Sequence, residues 1–288
     1  MSFDSAPRKE TGPTIKALQK LILTPKEYSE HFWVTSPERT RAYSYELAKG
    51  NKRLTMLGVP HVHNPEDPMY HYISEHMNFH KPDLVLVEGM EGIQDQKEKV
   101  LNKVLGMSDT EAKTLGENMY ALKRASESGI DFESPEPTLS SQTTFLIREG
   151  FSKRDIILHY VTRQLEQYYR TDEDAFASRK DEFIDKTLFE VEARSGIPPE
   201  EFAGLAVGVR EDISKTVETS MKERVDPMPR EGRIDTVGNE ISSVLTHYRD
   251  TYILTRVIEA LKKHDRIMVV YGSGHAVTLE PALRALMD

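Results

Sequence analysis

Residues 53–61 read RLTMLGVPH, and residues 266–275 read RIMVVYGSGH. Each is a short apolar run that stops at a glycine and meets a histidine three residues on, the pattern GxxH. Apolar runs of this length fit strands buried on both faces of a parallel sheet. In an open α/β sheet, ligands bind outside the carboxyl ends of the strands. Glycine lets the chain turn sharply there, which would bring His61 and His275 to one rim. A single GxxH is most simply a turn histidine satisfying backbone groups. Two of them on sheet strands, more than 200 residues apart, point to a shared site.

The pattern between these runs extends the sheet. Asp83–Val87 (DLVLV) reads as a second buried strand and Ile130–Phe132 as a third. Helical stretches lie between them, from about Pro68 to His80, Ile93 to Leu105 and Ser108 to Ser128. The last opens on SDTE, the form of a capping box. The order βαβαβ predicts an α/β fold with a mostly parallel central sheet flanked by helices, with 266–271 beside 53–58 or 83–87. Upstream, PERTRAYSYELAKG (37–50) reads as a helix opened by Pro37 and ended by Gly50. Residues 1–14 form a polar mobile tail. From 138 to 235 no strand pattern appears. Ile156, Ile157, Tyr160, Val161 and Leu165 mark one amphipathic helix there, and DPMPREGRID (226–235) is a loop. The expected organisation is a core of 15–137 and 236–288 carrying an all-helical insertion, 138–235, that roofs or flanks the cleft. A long helix from about Val237 to Lys263 precedes the last strand.

Composition narrows the function classes. The chain has 288 residues, a formal net charge of −9 and a pI near 5.7. That balance argues against a global affinity for nucleic acid or anionic membrane. With no cysteine, thiolate metal sites, disulfides and cysteine nucleophiles are excluded. MSFDSAPRKETGPT has no apolar h-region, and the longest apolar runs are too short to span a bilayer. These features predict a cytoplasmic protein with no membrane partner.

Other residues join the two histidines as candidates. His63 lies two residues beyond His61, so in a continuing strand both imidazoles would face one metal; a solvent-facing histidine before Asn64 is the alternative. Glu88 directly follows DLVLV, where a carboxylate can ligate a metal, act as general base, or form an ion pair. Glu133 and Glu136 in FESPEPT hold a similar rim position and are either further ligands or parts of a stiff turn. Arg249 flanks the buried face of the long helix, where it either binds an anionic intermediate or pairs with a carboxylate. Asp250 orients it or is solvated. His71, His76 and His80 share a helix but offer at most one facing pair, His76 and His80, on an exposed or half-buried face.

MLGVPHVHNPED, DLVLVEG, THYRDTYILTRVIEAL and VVYGSGHA, in that order, resemble the motifs of the Tiki/TraB family: a GxxH, a strand-end Glu, an Arg on a late helix and a second GxxH. The resemblance covers about 50–136 and 236–288. The wider superfamily includes Tiki metalloproteases, pheromone-shutdown TraB proteins, GumN-like proteins and erythromycin-esterase-like enzymes. For its Tiki branch the resemblance implies a divalent-metal-dependent hydrolase, with His61, His275 and Glu88 as metal and catalytic groups and Arg249 as the matching arginine; the leading expectation is hydrolysis of an amide or peptide bond with Mn²⁺, Co²⁺ or Zn²⁺ held by His61, His275 and a carboxylate. His63 and Glu136 are the additional ligand candidates. The substrate would be a small molecule or a peptide. Two alternatives remain: metal-free, esterase-like hydrolysis with a histidine as general base, and a non-enzymatic binding or toxin-related module on the same fold. His61-Val-His63 alone also suggests an amidohydrolase barrel, but eight strands are not to be found.

Overall fold

The computed structural model describes residues 13–24, 27–28, 42–171, 173–216 and 236–288. Helix α1 (Ile15–Gln19) leads to a hairpin of β1 (Tyr43–Lys49) and β2 (Lys52–Val59). Then come α2 (Pro68–His80), β3 (Leu84–Val87), a 3₁₀ turn (Ile93–Gln96), α3 (Lys97–Leu105), α4 (Asp109–Thr114), α5 (Glu117–Glu127) and β4 (Asp131–Glu133). Four helices follow: α6 (Leu139–Arg148), α7 (Lys153–Thr171), α8 (Glu173–Ser195) and α9 (Pro199–Ser214). The chain closes with α10 (Val237–Lys263), β5 (Arg266–Gly272) and α11 (Ser273–Met287).

The strands form one sheet in the order β1-β2-β5-β3-β4. β2, β5, β3 and β4 are parallel, and β1 is an antiparallel edge. The crossover from β2 to β3 skips one position, and the C-terminal strand β5 fills it. That topology explains how the two ends of the chain meet. In register, Val59 lies opposite Gly272, and the Glu88 N–H donates to Val270 O at 3.2 Å. The residues following β2, β3 and β5 therefore emerge side by side on one rim.

Two expectations are corrected. Tyr43–Lys49 is a strand, not part of a helix. Tyr45 and Leu47 are buried while Ser44, Glu46 and Ala48 face out, a period of two. Gly50, read as a helix stop, instead opens a two-residue hairpin turn with φ +58°, a position that suits glycine. The preceding residues of that stretch, up to 41, lie outside the described ones. Likewise 108–128 is not one helix: Gly116, at φ +113°, breaks it into α4 and α5. The capping box at Ser108 and Glu111 is present.

Both faces of the sheet are covered, as a parallel sheet requires. Leu54, Met56, Leu86, Val269 and Tyr271 pack against α10 and α11. Leu57, Val85, Val87, Met268 and Val270 pack against α2 and α5. Within 138–235, the described residues contain helices and no strand. Helices α6–α9 enclose an apolar core of their own, while the loop expected at 226–235 lies outside the described residues. Helix α10 joins the layers. Its 27 residues span roughly 40 Å. Ile241 and Leu245 sit in the helical core, and Ile253, Leu254 and Val257 in the sheet core. Arg249 and Asp250, both buried, lie on the helix between those two sets. No helix among the described residues is long and apolar enough to cross a membrane.

Candidate functional site

The two GxxH glycines serve different ends. A Cβ on Gly58 would lie 2.6 Å from both Ala276 Cβ and Tyr43 O, so its absence lets β2 pass close beneath α11. A Cβ on Gly272 would lie 3.1 Å from Glu88 Oε2 and 3.7 Å from His61 Nε2. Here the missing side chain leaves room for the carboxylate, and Gly272 donates its N–H to Glu88 Oε2 at 2.6 Å. Gly272 caps α11, and His275 sits in the first turn of that helix rather than in a loop before it.

Glu88 is the centre of the arrangement. Besides Gly272 it accepts a 3.0 Å hydrogen bond from Arg249 Nη2 at Oε1, and His275 Nε2 lies 4.0 Å from the same oxygen. Burial would raise its pKa, but the charges of Arg249, His275 and His61 and the Gly272 N–H together bring it down to about 2. Glu88 is thus an ionised carboxylate at neutral pH. Arg249 also grips Glu136 in a two-pronged contact, Nε to Oε2 at 3.1 Å and Nη2 to Oε1 at 2.6 Å. The Tyr271 hydroxyl donates to Glu136 as well. The arginine is therefore the centre of a buried ion-pair network and a neighbour of the site at once.

Each histidine is anchored through Nδ1 by a buried carboxylate. His61 donates to Glu117 Oε1 at 2.6 Å, and His275 to Asp250 Oδ1 at 2.5 Å. A carboxylate at Nδ1 fixes the tautomer and leaves Nε2 as the electron-pair donor. Both Nε2 atoms lie on the Glu88 side. Glu117 Oε2 also receives the Val62 N–H at 3.4 Å, and Asp250 Oδ2 receives the Thr278 hydroxyl at 2.8 Å. Asp250 is wholly buried; it orients His275, not Arg249, and is not solvated.

Other candidates are placed elsewhere. β2 ends at Val59, so no strand carries His61 and His63 to one side. His63 is exposed, and its Nδ1–H meets Thr114 O at 3.3 Å. Glu133 pairs with Arg256 at 2.9 Å. Among the described residues, the one group of three metal-capable side chains whose ligand atoms all lie within 4.8 Å of one another is Glu46, His76 and His80. The ligand atoms of His61, Glu88 and His275 are spread more widely. Their donor set of two imidazole nitrogens and a carboxylate still suits a catalytic zinc-like ion, and both rings are held in the ligating tautomer.

A cleft of about 580 Å³ opens over His61, Glu88 and Arg249. Its far wall comes from α6, α7 and α8, including Gln142, Tyr160, Arg163 and Arg194; His275 is not among its lining residues, though its Nε2 lies 4.0 Å from Glu88 Oε1. Arg163 lies within the fields of Arg249, Glu136 and Glu88. Burial and the charge of Arg249 hold its guanidinium below the usual pKa. Neither Glu117 nor Arg163 stands out in the sequence: one is a first-turn glutamate, the other a flank position on the amphipathic helix α7. No protein-family model, curated protein or solved structure matches the chain.

Proposed function

We propose that this protein is a divalent-metal-dependent hydrolase of amide or peptide bonds, of the kind its Tiki/TraB resemblance implies. The observation that carries the reading is the pair of strand-end histidines, each locked at Nδ1 by a buried carboxylate, with Nε2 turned toward Glu88. In metalloenzymes such partners orient ligating histidines and raise their basicity. His61, His275 and Glu88 would hold Mn²⁺, Co²⁺ or Zn²⁺, and the ion would supply an acidified water and a polarised carbonyl.

The chain's own groups then have distinct tasks. With its pKa near 2, Glu88 is a poor proton acceptor at neutral pH, where a general base works best with a pKa near the operating pH. That favours ligation over base catalysis. Arg249, held by Glu136, keeps Glu88 ionised and in place. Arg163 faces the cleft beside Arg249, where it would receive an anionic group of the substrate. Helices α6–α8, read as part of an insertion into the Tiki/TraB core, close the cleft and set its size.

A second reading rests on the His61–Glu117 pair. Glu117 is buried, His61 is half-exposed on the cleft, and the dyad has the form of a base oriented by a carboxylate. It could activate water without metal. The deciding experiment is hydrolysis of a panel of acyl-amide and peptide substrates, with and without a terminal carboxylate, by protein stripped with chelator and reloaded with Mn²⁺, Co²⁺ or Zn²⁺. Metal-restored turnover, with a lower KM for the carboxylate-bearing members that Arg163→Gln abolishes, supports the first reading. Full turnover by stripped protein supports the second. No turnover with any metal refutes both.

A further inference from the structure

Outside the cleft, β1 and α2 bring a second set of donors together. Glu46 projects from the outer face of β1, and His76 and His80 stand one turn apart on α2, at the i,i+4 spacing that puts two side chains on one helix face. His80 Nε2 lies 3.1 Å from Glu46 Oε1. The two imidazoles are stacked, with centroids 5.4 Å apart and planes inclined by 25°. One ligand atom from each of the three residues lies within 4.8 Å of the other two. Two ligands bonded to one zinc at about 2.1 Å each stand roughly 3.4 Å apart in tetrahedral geometry, so small rotamer shifts would close the site.

The surroundings argue against a merely solvated polar face. His76 is half-buried, and its Nδ1 is buried with no hydrogen-bond partner among the described residues. An unsatisfied buried polar atom is costly. The same strip of β1 carries Ser44, bonded to the Tyr72 hydroxyl, and Tyr72 packs on the His76 ring at 4.3 Å between centroids. The strand and helix thus meet through polar and aromatic groups where an apolar contact would be the ordinary solution. β1 is an edge strand, paired in the sheet only with β2. A bridge from β1 to α2 would pin this edge to the layer behind it.

We propose that Glu46, His76 and His80 form a structural site for a borderline divalent transition metal, Zn²⁺ or Ni²⁺ by its nitrogen-rich donor set, that clips β1 to α2. Hard ions such as Mg²⁺ and Ca²⁺ prefer all-oxygen shells and would be rejected. The proposal is independent of the catalytic reading, since it shares no residue with the cleft. Binding to the folded chain alone raises stability by mass action, so the site reveals itself without any activity assay.

The test is Zn²⁺ titration of the full chain against a chromophoric chelator, with thermal unfolding on the same samples. Wild type, Glu46→Gln, His76→Gln/His80→Gln and His61→Gln/His275→Gln are compared. The expected result is that the His76/His80 double variant loses one equivalent of zinc and the part of the zinc-dependent rise in Tm that goes with it, while the His61/His275 double variant retains that equivalent and that part of the rise. Glu46→Gln, on an exposed face where folding is not at stake, should weaken that equivalent about tenfold or more, and Mg²⁺ should not compete. Equal stoichiometry, affinity and Tm shift in wild type, Glu46→Gln and the His76/His80 variant would overturn the proposal, whatever the cleft variants do.

Discussion

Asp250 Oδ1 stands 2.5 Å from His275 Nδ1, and the two residues come from different helices, α10 and α11, on either side of the last strand. Asp250 is fully buried, so its charge is committed to this imidazole and to the Thr278 hydroxyl. Asp250→Asn keeps the shape but can present an amide N–H where the ring needs an acceptor. The expected outcome is a 10–100-fold loss of metal affinity or turnover, with Tm lowered much less than by Asp250→Ala. Unchanged kinetics in Asp250→Asn would mean that His275 orientation does not matter to the reaction.

Glu88→Gln tests the centre of the cleft. Arg249 retains its two-pronged grip on Glu136, so the buried guanidinium is not left alone and the fold should survive. The amide is a poor metal ligand, so bound metal and turnover should be lost together. A structural Glu88 would show the reverse: a lower Tm and the same rate per folded molecule.

Gly58→Ala tests the close passage of β2 beneath α11. The added methyl would lie 2.6 Å from Ala276 Cβ and Tyr43 O and 3.0 Å from Ser273 Cα, and backbone on two sides cannot yield easily. Overpacking of this kind costs about 1–3 kcal/mol. The first turn of α11 carries His275, so Tm and activity should fall together. A variant as stable as wild type would show that β2 and α11 separate freely.

His159 gives a pH prediction. It is buried on α7, and burial, with the nearby charge of Arg163, pushes its pKa down to about 3. The unfolded chain, with a histidine pKa of about 6.5, takes up the proton first. The stability that neutral His159 contributes is complete above pH 6.5 and is lost as pH falls toward 3; about 2 kcal/mol should be gone by pH 5. His159→Leu removes that proton uptake, so its stability should be flatter than wild type between pH 7 and 5 in urea unfolding. Parallel curves would place the acid sensitivity elsewhere.

Much of this architecture is legible in the residues, for reasons that differ by element. The runs LTML, LVLV and IMVV are apolar on both faces, which only a covered parallel strand tolerates, and α10 declares itself by a long apolar stripe from Val237. β1 is hidden because ELAK is built of good helix formers followed by glycine, and a short alternation of Tyr43, Tyr45 and Leu47 loses to that signal until β2 is there to pair with it. The shared apolar character of 53–58, 83–87 and 266–271 places the last strand beside one of the other two, and it pairs with both; that it separates them is set by long-range pairing, which local pattern does not encode. The site shows the same division. Histidines and Glu88 at strand ends are visible because strand ends converge. Glu117, Asp250 and Arg163 matter only through what they face across the fold, and nothing in their local spacing marks them.

The account's central claim, that His61, Glu88 and His275 share one divalent ion, is tested most directly by anomalous diffraction from cobalt-soaked crystals. It predicts an anomalous peak about 2.1 Å from His61 Nε2 and His275 Nε2, bonded to a Glu88 oxygen. It also predicts that the peak vanishes in His275→Gln. A peak-free cleft in crystals of protein that hydrolyses substrate after chelator treatment would contradict it.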